Sequence, residues 1–473
     1  MPIGILLWVL SSYIQDYDYL CILKTETSME TNMKKSLLFA FILMATSSFV
    51  LSCSSSSATE EEDLGESKKI VNMLAEPQPI QLTAEQKVFA NDNNQFTLNF
   101  LKTVNEVDQS GKSFIYSPLS ITYVLSMVND AATGKTEEEL EQTLGFHKGG
   151  IKVVNDYCKK LIEGLPKVDN KVTLDIANAI FLNKDYTLKQ QFLQDMQNYY
   201  NAKAETLDFS SPQTLEHING WCNDKTKGMI PKILDEVNPY MVSYLLNAIY
   251  FKADWASKFD PKNTKEETFT TEKGSTTLPM MHQNVLISYL KTNTYSAVIL
   301  PYGSGLWNMT VLLPEEGATT DDLIKEVAQS SVVNNRGWCE TGGNFFRGYE
   351  VDLKLPRFET ASDTDELDVK NGLVGLMQKM GIKLAFDSDF AEIPNMCEDR
   401  NLYISMMRQK AKIKVNEEGS EAAAVTVAGM DLTTAVGPQE YPKATFHVNR
   451  PFVYVISEAS SGVILFVGKF TGI

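Results

Sequence analysis

Glu417-Glu418-Gly419-Ser420-Glu421-Ala422-Ala423-Ala424-Val425-Thr426-Val427-Ala428-Gly429 is the stretch on which the reading of this chain turns. It continues from Ala411-Lys412-Ile413-Lys414-Val415, where apolar and polar residues alternate with the period of two that marks a half-buried strand. Past Gly419 every residue is small or β-branched except Glu421. Counting from Ser420, the positions sharing one face of a strand would be Ser420, Ala422, Ala424, Thr426 and Ala428, all small enough to slide between two existing strands. The same composition suits an alanine-rich helical turn capped by Ser420, so these residues alone leave helix and strand open. A segment of this kind can lie outside as a loop or enter a sheet as a new strand.

The chain around it has 473 residues, a length that suggests two or three domains. With 43% hydrophobic and 22% charged residues the composition is that of a globular protein with a large core. A net charge of −17, from 43 basic against 60 acidic residues, argues against general affinity for nucleic acid or anionic lipid. From Thr83 to Ile473 neither a low-complexity linker nor a fixed-period repeat interrupts the sequence, and 83–473 is expected to form one compact unit.

The N-terminal region has a different character. Met33-Lys34-Lys35 is a short positive segment, Ser36 to Val50 an apolar one, and Leu51-Ser52-Cys53 follows. This order resembles a bacterial lipoprotein signal, with 33–52 removed and the Cys53 thiol acylated. An ordinary secretory signal is the alternative. Ser54 to Ser57 and Glu60-Glu61-Glu62-Asp63 make 53–82 a flexible tether, and such a serine-and-acid run also resembles surface-export signals. Residues 1–32 contain an apolar run, Ile3 to Leu10, too short to span a bilayer. Translation is expected to start at Met33 or Met29, an expectation that finding peptides from 1–32 in cells would overturn.

Six cysteines (Cys21, Cys53, Cys158, Cys222, Cys339 and Cys397) are widely spaced, and none of the four histidines adjoins one, so no metal site is expected. Those beyond Cys53 read as free buried thiols. Asn91 to Val107 has helical spacing. Ser117 is placed to cap a helix with Pro118 at its first position, and Thr136-Glu137-Glu138-Glu139 reads as a capping box. Strands are expected over Asp175–Leu182, Met241–Phe251, Tyr295–Leu300, Trp307–Leu313, Val351–Leu355 and Val453–Ile456. Together these give an α+β fold with large sheets. Catalytic signatures are missing: Ala132-Thr133-Gly134-Lys135-Thr136 imitates the end of a phosphate loop, but residue 129, where the first glycine should stand, is Asn129. No enzyme activity and no cofactor are expected.

Several separate stretches identify a family. In order they are Tyr116-Ser117-Pro118-Leu119-Ser120-Ile121; Gly134-Lys135-Thr136 through Leu144-Gly145-Phe146; and Asn247-Ala248-Ile249-Tyr250-Phe251-Lys252-Ala253-Asp254-Trp255. Then come Leu300-Pro301-Tyr302, Leu312-Leu313-Pro314 with Gly317, Leu353-Lys354-Leu355-Pro356-Arg357-Phe358, Asn449-Arg450-Pro451-Phe452 and Phe466-Val467-Gly468-Lys469. From about Phe89 to Gly472 the chain resembles the serpins. The resemblance implies an α+β fold with three β-sheets, about eight or nine helices and an exposed reactive-centre loop. It also implies a suicide-substrate mechanism. A target protease cuts the loop, forms an acyl-enzyme, and is carried away as the loop inserts into the largest sheet. About fifteen inserted residues at about 3.3 Å each span roughly 50 Å.

Carried over residue by residue, the resemblance makes Gly419 the hinge glycine, preceded by Glu417, and makes Ser420, Ala422, Ala424 and Thr426 the inward positions of the inserted strand. The scissile bond falls between Thr433 and Thr434, with Met430 and Leu432 as alternatives. These side chains suit elastase-, chymotrypsin- or subtilisin-like proteases, and Lys443, the nearest base, lies well beyond. Ser117, Ser120 and Asn247 fall where the family bonds together the strands that must part. The histidine usual there is replaced by Gln409, whose amide can supply both a donor and an acceptor. Trp255 matches the tryptophan beneath the point where insertion begins, and Arg357 with Glu417 matches an ion pair at that place. The expected partners are serine proteases, with cysteine proteases as a second class. A monomer is expected, touching the membrane only through its anchor, at the outer membrane and facing either the periplasm or the cell exterior. A serpin-fold binding or carrier protein, cleaved as plain substrate, is the alternative.

Overall fold

A computed structural model describes residues 77–146, 149–329, 346–398, 402–420 and 440–473. Thr83 opens the first helix: its hydroxyl accepts the Gln86 N–H and the Gln86 side chain accepts the Thr83 N–H, a capping box. Helix α1 (Ala84–Val107) therefore begins a full two turns before the expected start at Asn91. After it come α2 (Pro118–Ala131), α3 (Gly134–Leu144), α4 (Ile151–Gly164), α5 (Gln190–Tyr200), α6 (Pro212–Lys225), α7 (Thr320–Gln329) and α8 (Gly372–Met380).

In chain order the strands are β1 (Phe114–Tyr116), β2 (Val172–Asn183), β3 (Lys203–Leu207), β4 (Ser243–Asp254), β5 (Lys265–Thr271), β6 (Gly274–Lys291), β7 (Tyr295–Tyr302) and β8 (Trp307–Pro314). β9 (Arg347–Pro356), β10 (Phe358–Asp363), β11 (Met407–Val415), β12 (Gly419–Ser420), β13 (Lys443–His447), β14 (Phe452–Glu458) and β15 (Ile464–Phe470) complete them. They form a six-stranded sheet in the order β10-β11-β12-β4-β2-β3 and a nine-stranded one in the order β1-β15-β14-β8-β7-β6-β9-β13, with β5 beside β6. The fold is α+β. The expected three sheets become two hydrogen-bonded sets because β6 serves two layers, pairing with β9 over Met280–Tyr289 and with β7 over Ser288–Lys291.

Helix α2 is apolar on nearly every side and is accordingly buried, packing against β15 of one sheet and against β2 and β4 of the other. Two details of its surroundings depart from expectation. Ser117 does not cap α2; its hydroxyl donates to the Leu465 carbonyl at 2.7 Å and lies within hydrogen-bond distance of Ser120 Oγ at 3.0 Å. Nor does Thr136 open a capping box, because α3 already begins at Gly134 and the Glu392 carboxylate takes the Lys135 N–H at 2.7 Å. A methyl on Gly134 would run into that carboxylate, so an internal side chain fills the place where a phosphate loop would hold its anion. Cys158 and Cys222 are buried free thiols, Cys397 is buried as well, and burial pushes Cys158 and Cys222 up to about 12.

Candidate functional site

The six-stranded sheet contains a seam between β4 and β11. At its lower end these strands pair in parallel, Met407–Gln409 against Leu245–Asn247. At its upper end β12 lies between them, with Ser420 opposite both Val415 and Ala253, and Gly419 opposite Asp254. The start of the small-residue stretch is thus already a strand, and the helical alternative does not hold for Gly419 and Ser420. Ala422, Ala424, Thr426, Met430, Leu432, Thr433 and Thr434 lie outside the described residues, as does Cys53.

Gly419 is required where it stands. Its φ of +154° and the Ala253 carbonyl oxygen, which a methyl would overlap, leave no room for a side chain. The turn into β12 is an Asx turn: Asn416 Oδ1 accepts the Glu418 N–H at 3.0 Å and the Gly419 N–H at 3.2 Å. Ser420, fully buried, meets the Tyr302 hydroxyl at 2.6 Å. Burial pushes that phenol far above the ordinary tyrosine range, with the Ser420 bond opposing, so Tyr302 stays neutral. Tyr302 in turn stacks on Trp255 with ring centroids 4.4 Å apart and planes 8° from parallel. Trp255 joins the two sides of the turn, its ring N–H donating to Asn416 O at 2.9 Å and its backbone N–H to Glu418 O at 2.8 Å.

Charges close the upper end. Arg357 grips Glu417 with two bonds, Nε to Oε2 at 3.2 Å and Nη2 to Oε1 at 2.5 Å, and Thr264 adds a third at 2.6 Å. Burial works to raise the Glu417 carboxyl, but the bonds from Arg357 and Thr264 outweigh it and hold the group below the usual carboxylate range. Lys258 sits between Asp254 at 2.9 Å and Glu418 at 2.5 Å. Burial disfavours its charge, yet those two carboxylates hold it above the ordinary lysine range.

The lower end is dry. Gln409 is fully buried, its amide N–H donating to Ser117 O at 2.9 Å and its amide oxygen accepting the Ser117 N–H at 2.9 Å. This two-pronged bond joins β11 to the start of α2. Ser120 is linked to the same network through Ser117. Asn247 is the register partner of Gln409 but its side chain turns the other way along the sheet, donating to Asn178 Oδ1 at 2.8 Å. The structure therefore brings Ser117, Ser120 and Gln409 into one network, and Trp255, Arg357, Glu417, Gly419 and Ser420 into another. Tyr302, Thr264, Asn416 and Asn178 were not singled out from sequence. For Asn416 a signal existed, an asparagine three residues before a glycine.

A fold with a partly filled seam in its central sheet and a chain connection running on from that seam defines a class, and comparison agrees. The family model described as "Serpin (serine protease inhibitor)" matches residues 91–473, and the chain belongs to the serpin family. It is 31% identical over 386 residues to the leukocyte elastase inhibitor of Sus scrofa, covering 80% of this chain and 98% of the relative. Serpin B11 of Homo sapiens is 30% identical over 400 residues, with coverages of 80% and 97%. Among solved structures, the thermophilic serpin tengpin in its native state superposes with a TM-score of 0.70 at 26% identity, covering 84% of this chain and 96% of that one. Human thyroxine-binding globulin, complexed with its ligand, gives a TM-score of 0.70 at 27% identity, with coverages of 82% and 98%.

Proposed function

We propose that this chain inhibits serine proteases, and cysteine proteases as a second class, as a suicide substrate. The protease attacks the loop at Thr433–Thr434, or at Met430 or Leu432, and becomes linked through an ester or thioester to the cut loop. Ser420, Ala422, Ala424 and Thr426 then follow one another into the seam. The observation that carries this reading is the seating of Gly419 and Ser420 between β4 and β11, which puts the leading inward-facing position in a slot that accepts only a small side chain. Apolar and small residues around the bond favour elastase-, chymotrypsin- or subtilisin-like targets. The likeness to leukocyte elastase inhibitors supports the first of these.

The protein acts as a monomer exported to the outer membrane, with 33–52 removed, Cys53 lipidated, 53–82 as tether and 83–473 as the inhibitory domain. Incubation with a protease of each class tests the inhibitory reading: a covalent complex stable in SDS, and a sharp rise in thermal stability after loop cleavage, are expected. Cleavage without either result would overturn it. The likeness to thyroxine-binding globulin raises a carrier as the second reading. Cleavage that leaves thermal stability unchanged would favour it. Labelling with radioactive palmitate, lost in Cys53→Ala, tests the anchor; equal labelling of both would contradict it.

A further inference from the structure

Past Gly419 the small-residue stretch carries one charge, Glu421, to which the insertion proposed above gives no role. Glu421 lies outside the described residues, but the two ladders that hold β12 fix where a continuation of that strand runs. Ser420 faces Ala253 of β4 on one side and Val415 of β11 on the other, antiparallel to both. One row further on, the position of Glu421 falls opposite Lys252 and Lys414. The two ladders agree with each other. Carried on, both put Thr426 opposite Asn247 and Gln409, which are themselves register partners where β4 and β11 meet.

Side chains alternate along a strand, so with Ser420 buried the next side chain belongs on the outer face. Lys252 and Lys414 share that face: Lys252 is half-buried between buried Phe251 and Ala253, and Lys414 is exposed between buried Ile413 and Val415. Among the described residues neither ammonium has an ion pair, although the lysines around them do. Lys258 sits between Asp254 and Glu418, Lys410 lies 3.3 Å from Asp363, and Lys412 bonds Glu359 at 2.7 Å. Glu359 is the cross-strand neighbour of Lys414 on β10, yet its carboxylate goes to Lys412. The neighbour of Lys252 on β2 is Thr173, which is uncharged. Two unpaired cations thus flank the seam at the row that the one acid of the stretch would reach. A strand between them lies about 4.8 Å from each, the spacing at which opposite charges pair across strands.

We propose that Lys252 and Lys414 form a cationic clasp that receives Glu421 at the first row of the entering strand and fixes its register. This rests on the insertion mechanism proposed above. Registers that differ by two residues present the same face, and the inward positions of the stretch are all small, so packing beneath the sheet tolerates such a slip. The charges do not. A slip toward the lower end sets Glu421 between Tyr250 and Lys412, whose ammonium Glu359 already holds, and a slip the other way sets it against Asp254. Lys252 and Lys414 are positioning residues: they act on the entering strand and touch neither the protease nor the bond it cuts.

The test is an exchange of charges, read on the full chain after its loop has been cut by an elastase-, chymotrypsin- or subtilisin-like protease. Four proteins are compared: wild type, Glu421→Lys, the double variant Lys252→Glu with Lys414→Glu, and all three changes together. The unfolding rate of each cut protein is measured in guanidinium sulfate at low salt and again with 1 M sodium chloride added, roughly the concentration at which exposed charges are screened within about 3 Å. Glu421→Lys and the double variant should each unfold about tenfold faster than wild type, because two opposite-charge cross-strand pairs become like-charge ones. The triple variant, with the pairs restored in reverse, should return to within about twofold of wild type, and added salt should shrink every difference. A triple variant that unfolds as fast as the two losses combined predict, from a wild type that does gain stability on cleavage, would overturn the clasp and leave the insertion mechanism standing. A wild type that gains no stability on cleavage would remove the mechanism and the clasp with it.

Discussion

The two ends of the seam are held by opposite means. At the upper end ions dominate: Arg357 with Glu417, and Lys258 with Asp254 and Glu418, on side chains that water partly reaches. At the lower end Gln409, Ser117 and Ser120 are wholly buried and joined by neutral hydrogen bonds. Partly exposed ion pairs exchange readily with water, whereas a buried amide leaves its partners unsatisfied when it moves away. In the proposed insertion, the end that would admit the loop first is thus the easier to rearrange, and the end that would yield last is fastened by bonds with no solvent substitute.

The largest expected effect breaks the upper end. Ser420→Arg would force a guanidinium into the slot beneath Tyr302, where an unpaired buried charge costs several kcal/mol, on the order of 3–5. The hinge should leave the seam and insertion should fail. Covalent complex on denaturing gels should drop by about a hundredfold or more, on the scale of 1.4 kcal/mol per factor of ten, while cleavage continues. Undiminished complex would show that the seating of Ser420 has no part in inhibition.

Next comes the lower end. Gln409→Leu strips the Ser117 N–H and carbonyl of their partners, and two buried unsatisfied groups cost about 2–5 kcal/mol in total. Urea unfolding should show that loss, with Gln409→His recovering most of it because an imidazole also offers one donor and one acceptor. Equal stability of all three proteins would mean the lower end is not held through this side chain. A smaller effect sharpens the comparison from above: Trp255→Phe keeps a ring against Tyr302 but loses the bond to Asn416 O, a destabilisation of about 1 kcal/mol measurable in the same titration.

The smallest effect is a pH dependence confined to the upper end. Glu417 has a depressed carboxyl in the folded protein, so its contribution is fully present above the unfolded-state value of about 4.3 and is lost as pH falls through the lower, folded one. Unfolding free energy measured from pH 6 to pH 3 should therefore fall less steeply in Glu417→Gln than in the wild type. Gln409→Leu should keep the wild-type slope. Identical slopes for Glu417→Gln and wild type would place the acid sensitivity elsewhere.

Much of this arrangement was legible in the sequence, and the exceptions have separate causes. Strands with apolar runs, such as β4, β8 and β14, were expected within a few residues of where they lie. β3 and β5 are among the strands that were not expected, because Lys203-Ala204-Glu205-Thr206-Leu207 and Lys265 to Thr271 carry mostly polar residues and leave much of their surface exposed. The family resemblance located Gln409, and its two-pronged bond to Ser117 follows from amide chemistry. Local cap reasoning failed at Ser117 and Thr136 because their actual surroundings come from Leu465 and Glu392, hundreds of residues away. Tyr302 is the clearest miss. Nothing in Leu300-Pro301-Tyr302 announces that its phenol will bond with the hydroxyl of Ser420, since that contact exists only once the hinge is in the sheet.

The most direct test of the central claim, that the small-residue stretch feeds a seam able to trap a protease, is a denaturing gel of the protein after incubation with an elastase-, a chymotrypsin- and a subtilisin-like protease. Mass spectrometry of the released C-terminal peptide would accompany it. The account predicts, for at least one of the three, a band that survives SDS at the summed mass less that of the released peptide, and a released peptide beginning at Thr434 or within a few residues of it. Clean cleavage by all three with no such band would contradict the account.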